Sequence, residues 1–193
     1  MGNDRQIRQE LRRAALEARE RLSREQRRKS SLLMTERILG HQFFYRSQVF
    51  LSFVSYGSEI DTHELIEEAI RLQKKVYVPK VTKTSEKSEM KFYKLTDLSE
   101  LKPGFRGISE PTGDSEEYVY RESEADRTFL LMPGAAFDGL RNRLGYGKGF
   151  YDNFLADKAA LQLRTVAVGF QCQMVEEIPA REGDIKPCQV MCF

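Results

Sequence analysis

The sequence predicts an α/β fold: a Rossmann-like three-layer sandwich around a mostly parallel central sheet. Three observations lead there. Gln48–Val54 is β-branched and aromatic enough for a buried strand, a helical pattern over Leu65, Ile66, Ala69, Ile70 and Leu72 follows, and Lys75–Val78 is strand-like again up to Pro79-Lys80. Strand, helix, strand in that order reads as a parallel βαβ unit, because parallel neighbours need a crossover between them. Thr128–Met132 is a short apolar run feeding Pro133-Gly134, as a central strand delivers its carboxyl end to a loop. After a glycine-rich stretch, a helix is expected over Phe150–Leu161 and a further strand at Thr165–Gly169.

The remaining elements follow from spacing and caps. Ile7, Leu11, Ala14, Ala18 and Leu22 recur at intervals of three and four, one stripe of an amphipathic helix. Ser23 with Gln26 forms a capping box for a second helix carrying Leu32, Leu33, Ile38 and Leu39, and Gly40 closes it. Asp61 with Glu64 suggests another capping box ahead of the crossover helix. Residues 81–88 are mostly polar and read as a connection, Met90–Tyr93 as a short strand, the acidic stretch 112–126 as a surface loop, and Gln189–Cys192 as a last strand. With no internal repeat and no long linker, a single domain over residues 1–193 is expected.

Composition narrows the function classes. A net charge of +2 gives no argument for nucleic acid as a partner. The two histidines, His41 and His63, are too few for a His-rich zinc site and argue against a Ser-His-Asp triad. Cys172, Cys188 and Cys192 are an odd number without regular spacing, and read as reduced packing thiols. In an extended strand, at about 3.3 Å per residue, Cys188 and Cys192 are too far apart to bridge. No apolar run approaches a membrane span, and the charged start MGNDRQIRQELRR is no secretory signal, so a cytoplasmic protein with no membrane partner is expected.

The chemistry is expected in Pro133–Asp152, at the carboxyl end of a strand, where open α/β sheets bind ligands. Glycines alternate in Gly145-Tyr146-Gly147-Lys148-Gly149, which lets successive backbone N–H groups approach a ligand. A helix start near Phe150 favours an anion. Arg143 offers a fork and Lys148 a point charge for phosphate, and Asp152 is a hard oxygen ligand suited to Mg²⁺. The loop is not a Walker A motif: Asn142 stands at its first glycine position, and Gly149 follows the lysine. Nor is it the dinucleotide fingerprint, since Phe150 occupies the third glycine position. By itself a short Gly-x-Gly-Lys-Gly is equally compatible with a solvated surface loop.

PGAAFD (133–138), NRLGYGKGFYD (142–152) and QCQMVEEIPAREGD (171–184) together resemble three signature segments of the 5-formyltetrahydrofolate cyclo-ligase family. Arg8-x-Glu-Leu-Arg12, SEIDT (58–62) and VYVPK (76–80) match as well, so the resemblance spans about residues 8–187. It implies conversion of 5-formyltetrahydrofolate to 5,10-methenyltetrahydrofolate at the expense of ATP, with Mg²⁺. It places Arg143, Leu144, Gly145, Tyr146, Gly147, Lys148, Gly149, Phe150 and Tyr151 on the nucleotide loop, with Arg143, Lys148 and Tyr151 as the catalytic set. Asp152 and Asp184 fall on its metal-binding aspartates, and Arg8 and Arg12 on basic residues that reach nucleotide and substrate. Glu59, Val54, Tyr146 and Phe150 fall on the folate side. A small-molecule substrate and a monomer are the expected partner and state.

Each residue keeps a plainer alternative at this level. Asp184 can cap a turn, Glu59 can be a solvated charge, and one of Phe150 and Tyr151 can be core. Lys80 and Gln173 can meet ligand or simply solvent and backbone; Met90 and Phe105 read as packing. The row Arg12, Arg13, Arg19, Arg21, Arg24, Arg27 and Arg28 reads as a solvated face, interleaved with Glu17, Glu20 and Glu25. Arg8 and Arg12 share a helix face four residues apart, and a bound phosphate is the expected offset to their repulsion. Two positions depart from the family pattern: Arg8 replaces a usual lysine, and Arg141 a usual glycine, which implies a different turn or a longer reach toward phosphate. An ATP-using relative with another substrate, and a module binding RNA or an acidic partner through the arginine-rich helices, remain as competing readings.

Overall fold

The structure is a computed structural model describing residues 2–83, 88–104, 107, 109–112 and 114–193. It opens with α1 (Gly2–Glu20), α2 (Arg24–Leu39) and α3 (Gln42–Arg46), then β1 (Val49–Leu51), α4 (His63–Arg71), β2 (Lys75–Lys83) and β3 (Ser88–Leu95). A two-stranded ribbon, β4 (Lys102–Pro103) with β5 (Ser109–Glu110), leads toward β6 (Thr128–Met132). Then come the hairpin β7 (Ala136–Phe137) and β8 (Arg143–Leu144), helices α5 (Phe150–Leu155) and α6 (Ala159–Gln162), β9 (Thr165–Gly169) and β10 (Gln189–Cys192).

The central sheet runs β10-β9-β6-β1-β2-β3, parallel except for β3 at one edge. Strand alternation sorts its side chains into two cores. Phe50, Val76, Val78, Phe129, Leu131, Val166 and Val168 face α2, α3 and α4. Leu51, Tyr77, Phe92, Leu130, Met132 and Ala167 face α5 and α6. Those are the three expected layers. Each such buried Val, Leu, Met or Phe side chain contributes about 1.5–3 kcal/mol. From β1 the chain crosses by α4 to β2 on one side, and from β6 it crosses by α5 and α6 to β9 on the other. The direction reverses between β1 and β6, so the ligand crevice of this topology opens outside their carboxyl ends. Helix α1 packs there, its Ala15 against Ala136, Leu144 and Ile178 of the segments beyond β6.

Strands β6, β9 and β10 have the expected limits, and Ser23 and Gln26 make the expected capping box with Gly40 as C-cap. Other expectations are corrected. Strand β1 is only three residues long. Strand β2 continues through Pro79 to Lys83 and pairs with β3 from Val76 to Lys83, so residues 81–83 and 88 are strand rather than connection. The ladder with β1 ends at Tyr77, leaving β2 open on one side at Pro79, where a missing N–H is tolerated. Asp61 and Glu64 make no capping box: Thr62 is the N-cap of α4, and Asp61 accepts the N–H of His63 at 2.9 Å. The helix expected over Phe150–Leu161 breaks after Leu155. Leu155 and Leu161, six residues apart, would lie on different faces of one helix, and the break lets both enter the same core. The acidic stretch is more than a loop: backbone bonds from Lys94 to Glu116 and from Tyr118 to Phe92, both 2.8 Å, lay it along the free edge of β3.

Helix faces also shift. Ala14 is exposed, and α1 turns Arg8, Leu11, Arg12, Ala15 and Arg19 inward. Leu32 and Leu33 are both 42% exposed, while Ser31, Met34, Thr35 and Ile38 form the buried face of α2. Cys172, Cys188 and Cys192 are free and half-buried, as expected. Among the described residues no helix is long and apolar enough to cross a membrane.

Ser31 and Thr35 differ in one respect. The Ser31 hydroxyl donates to the Arg27 carbonyl at 2.8 Å and accepts the Asp61 N–H at 2.9 Å, whereas the buried Thr35 Oγ1 has no partner. Thr35→Val, which removes that hydroxyl at nearly constant shape, should stabilise the fold by about 1 kcal/mol. Urea unfolding measures it; a lower midpoint for the variant would show that the hydroxyl is satisfied in solution.

Candidate active site

Two loops build the site, one from each strand at the switch point. Beyond β1 the chain curls back on itself: the Thr62 hydroxyl donates to the Phe53 carbonyl at 2.8 Å and accepts the Ser55 N–H at 3.1 Å. Within that curl Glu59 Oε2 accepts the Tyr56 N–H at 3.0 Å, which aims the carboxylate across the crevice. Beyond β6, Ala135 N–H bonds the Leu144 carbonyl at 2.7 Å and closes the β7–β8 hairpin. Asp138 organises its tip, accepting from Leu140 N–H, Asn142 N–H, Asn142 Nδ2 and Ile178 N–H at 2.7–2.9 Å. Burial alone would raise its pKa, but these donors outweigh it and hold the carboxyl below its usual range.

Arg141 stands in this tip with φ +64°, the left-handed region that a glycine takes at little cost. Arg141 thus takes the positive φ that a glycine would permit, at a cost a glycine would not have. The guanidinium reaches the Cys188 carbonyl at 2.9 Å instead of pointing toward the glycine loop.

Arg143, 7% exposed, follows on β8. Its Nη2 meets Asp152 Oδ1 at 3.1 Å, its Nη1 the Pro133 carbonyl at 3.3 Å, and its guanidinium lies 5.6 Å from the Tyr151 ring centre. Its Nε is buried without a partner. Gly134 makes room: a Cβ there would sit 2.6 Å from the Phe137 ring and 3.1 Å from Arg143 Cγ. Gly147 and Gly149 take φ +96° and +65°, and exposed Lys148 stands between them. Among the described residues no hydrogen bond or ion pair involves its side chain.

The N-terminal helix and the 179–185 segment close the loop from behind. Arg8 grips Asp184 through both Nη atoms, at 2.5 and 3.1 Å, and also the Pro179 carbonyl at 2.7 Å. Ile185 N–H donates to Asp152 Oδ1 at 3.2 Å, which brings the two aspartate-bearing segments together. Arg12 Nε bonds the Gly145 carbonyl at 2.8 Å, and burial with the neighbouring Arg8 charge lowers its pKa. The expected offset to the Arg8–Arg12 repulsion is thus supplied by Asp184 and a carbonyl of the chain itself.

Arg19 is the residue the sequence reading missed. It is 7% exposed, not solvated; its Nε meets Ser58 Oγ at 3.0 Å and its Nη1 the Tyr146 hydroxyl at 2.7 Å. Tyr146 in turn donates to Glu59. The series Arg8, Arg12, Ala15, Arg19, spaced four, three and four, was the available signal. The Tyr146 contact ties the loop beyond β1 to the glycine loop. Burial raises the pKa of Glu59; Tyr146, Tyr56 and Arg19 counter it only in part. Burial, and then the Glu59 charge, also raises those of Tyr146 and Tyr151.

The other expected residues sort by surroundings. Val54 lies in the core at 4% exposure, and Leu144 is fully buried behind the loop against α1, so both offer a ligand little surface. Phe150 and Tyr151 are half-buried against the α5–α6 core. Gln173 is a backbone bracket, donating to the Gly134 and Ala135 carbonyls at 2.8 and 3.0 Å. Met90 is core, and Phe105 lies outside the described residues. Among the described residues no cluster of three or more His, Cys, Asp or Glu could hold a metal. A Mg²⁺ ion beside a polyphosphate needs only one or two carboxylates, so Asp152 and Asp184 suit it chemically.

A sequence model described as the 5-formyltetrahydrofolate cyclo-ligase family matches residues 4–192. The chain belongs to that family. Among its relatives, the 5-formyltetrahydrofolate cyclo-ligase of Mus musculus is 31% identical over 177 residues, covering 88% of this chain and 85% of its own. That of Escherichia coli K12 is 36% identical over 133 residues, covering 69% and 71%. The NMR structure of Aquifex aeolicus 5,10-methenyltetrahydrofolate synthetase superposes with a TM-score of 0.76 at 30% identity, covering 94% of this chain and 87% of that one. The Mycoplasma pneumoniae synthetase, at 17% identity and a TM-score of 0.70, shares the fold.

The Glu59–Tyr146–Arg19 contact is directly testable. Tyr146→Phe removes a donor that favours the charged carboxylate, so the Glu59 pKa should rise further. Carboxyl carbon NMR across a pH titration reads it. An unchanged or lowered midpoint would mean that Tyr146 does not hold Glu59 in its charged form.

Proposed function

We propose that the protein converts 5-formyltetrahydrofolate, ATP and Mg²⁺ to 5,10-methenyltetrahydrofolate, ADP and phosphate, with the glycine loop as the nucleotide site and Glu59 on the pterin. The observation that supports this reading is the contact of Glu59 with Tyr146, which joins the loop beyond β1 to the Arg143–Asp152 loop at the switch point. A formamide oxygen is a poor leaving group. Its attack on the γ-phosphorus of ATP breaks the bond to ADP and leaves an activated phosphorylated formyl group. Folate N10 then bonds the formyl carbon, loses its proton, and phosphate departs with the former formyl oxygen. The chain's share is positioning and charge neutralisation.

Lys148, exposed and uncommitted, is placed to neutralise phosphate oxygens. Arg143 is held by Asp152 and Pro133 with one N–H unsatisfied, which preorganises it toward an anion. Arg8 and Arg12 act as positioning residues, the first through Asp184 and the second through Gly145. Mg²⁺ held by Asp152 and Asp184 would offset the charge of the phosphates. Glu59 accepts the N–H donors of a pterin edge, and Tyr146 lies between the two ligands. Action as a monomer in the cytoplasm belongs to the same proposal.

Incubation with MgATP and 5-formyltetrahydrofolate, followed by methenyl absorbance, tests the reaction; folded protein that yields no product contradicts it. Lys148→Ala separates function from folding, because among the described residues its side chain makes no hydrogen bond or ion pair. It should leave the unfolding midpoint unchanged and raise the KM for ATP about tenfold, as loss of roughly 1.4 kcal/mol does. An unchanged KM would place the phosphates elsewhere. Asp152→Asn should lower kcat beyond the roughly 10–100-fold typical of outer-shell residues and alter the Mg²⁺ dependence. Retained kcat with retained Mg²⁺ dependence would remove Asp152 from the metal site.

A further inference from the structure

Arg19 lies buried on α1, and among the described residues no ion pair involves it. A cation taken out of water is costly unless its surroundings carry compensating charge. Here the compensation arrives through two hydroxyls. The guanidinium donates from Nε to Ser58 Oγ at 3.0 Å and from Nη1 to the Tyr146 hydroxyl at 2.7 Å. Each hydroxyl then donates to a carboxylate, Ser58 to Glu20 and Tyr146 to Glu59. The guanidinium also lies 5.8 Å from the Tyr146 ring centre.

The direction of these bonds is forced. A guanidinium carries donors only, so each hydroxyl must meet it with a lone pair and spend its single proton on the other side. Arg19 thereby commits Tyr146 to donating toward Glu59. Charge and hydrogen bond act in the same sense, since a nearby cation and a donor both favour an ionised carboxylate. Glu59 takes one donor on each oxygen, Tyr146 at Oε1 and the Tyr56 N–H at Oε2. An ionised carboxylate has roughly four lone-pair sites, so both oxygens keep acceptor capacity for the paired N–H donors of a pterin edge.

We propose that Arg19 is a positioning residue for the folate: through the Tyr146 hydroxyl it fixes Glu59 as acceptor of the pterin donors, while Ser58 and Glu20 fix Arg19 in turn. The inference rests on the folate reading above. Arg19 acts on the substrate only through Glu59. A clamp that merely held α1 to the two loops would affect both ligands alike and would act independently of the Glu59 carboxylate.

The experiment is a double-mutant cycle on the full chain, reading kcat, KM for 5-formyltetrahydrofolate and KM for ATP. Arg19→Gln should raise the folate KM about tenfold, the loss of one charge-assisted hydrogen bond. A contact made equally in ground and transition states leaves kcat unchanged, and KM for ATP serves as the internal reference. In a Glu59→Ala background the same substitution should change the folate KM by less than about twofold, because nothing is left to position. Arg19→Lys keeps the charge but cannot span both hydroxyls, and it takes the same place in the cycle where Arg19→Gln does not fold. An unchanged folate KM, an equal rise in KM for ATP, or additive effects of the Arg19 and Glu59 substitutions overturns the positioning role while the folate reading stands. A wild type that does not convert 5-formyltetrahydrofolate overturns the folate reading, and the role of Arg19 with it.

Discussion

The buried Arg143–Asp152 pair is the contact on which the site depends. Arg143 comes from β8, Asp152 from the first turn of α5, and their 3.1 Å contact sets the span of the glycine loop between them. From Asp152 the connection continues through the Ile185 N–H, and from neighbouring Asp184 to Arg8 on α1. Three segments distant in sequence are thereby drawn to one end of the sheet. Removing one partner of a buried pair typically costs 3–5 kcal/mol, because the other is left charged in low dielectric. The pair sits with its arginine side chain 3% and its aspartate 21% exposed, so the aspartate is the partner that keeps access to solvent.

The same site stores destabilisation. Burial raises the Glu59 pKa, so ionising this carboxylate costs stability as pH rises through its folded value. The unpartnered Arg143 Nε adds a desolvated donor, and Arg141 holds a left-handed φ. Such features gather where ligands supply what the chain withholds. Asp138 shows the opposite arrangement: four donors satisfy it, its pKa falls, and it stiffens the hairpin without facing a ligand.

What was legible in the sequence follows how each element is stabilised. Thr128–Met132 and Thr165–Gly169 are buried at every residue, so a continuous apolar run marked their limits. The Ser23–Gln26 box was legible because its partners are three residues apart. The extension of β2 past Pro79 was not, since it depends on where the ladder with β1 stops. Nor was the break after Leu155, which depends on the core that Leu155 and Leu161 share. Arg19 was read as solvated because charge next to charge is usually solvated, and only the packing of α1 over the β7–β8 hairpin turns it inward.

By itself the sequence determined the parallel α/β layering and the chemical kind of the loop, because periodicity, caps and glycine alternation act over a few residues. It also determined which side chains could carry phosphate and metal chemistry. The tertiary structure decided which of them meet: Glu59 with Tyr146 across 87 positions, Arg19 with Tyr146 across 127, Arg8 with Asp184 across 176. Such contacts leave no local pattern. They exist only once strand order brings the ends of β1 and β6 side by side and α1 closes over them.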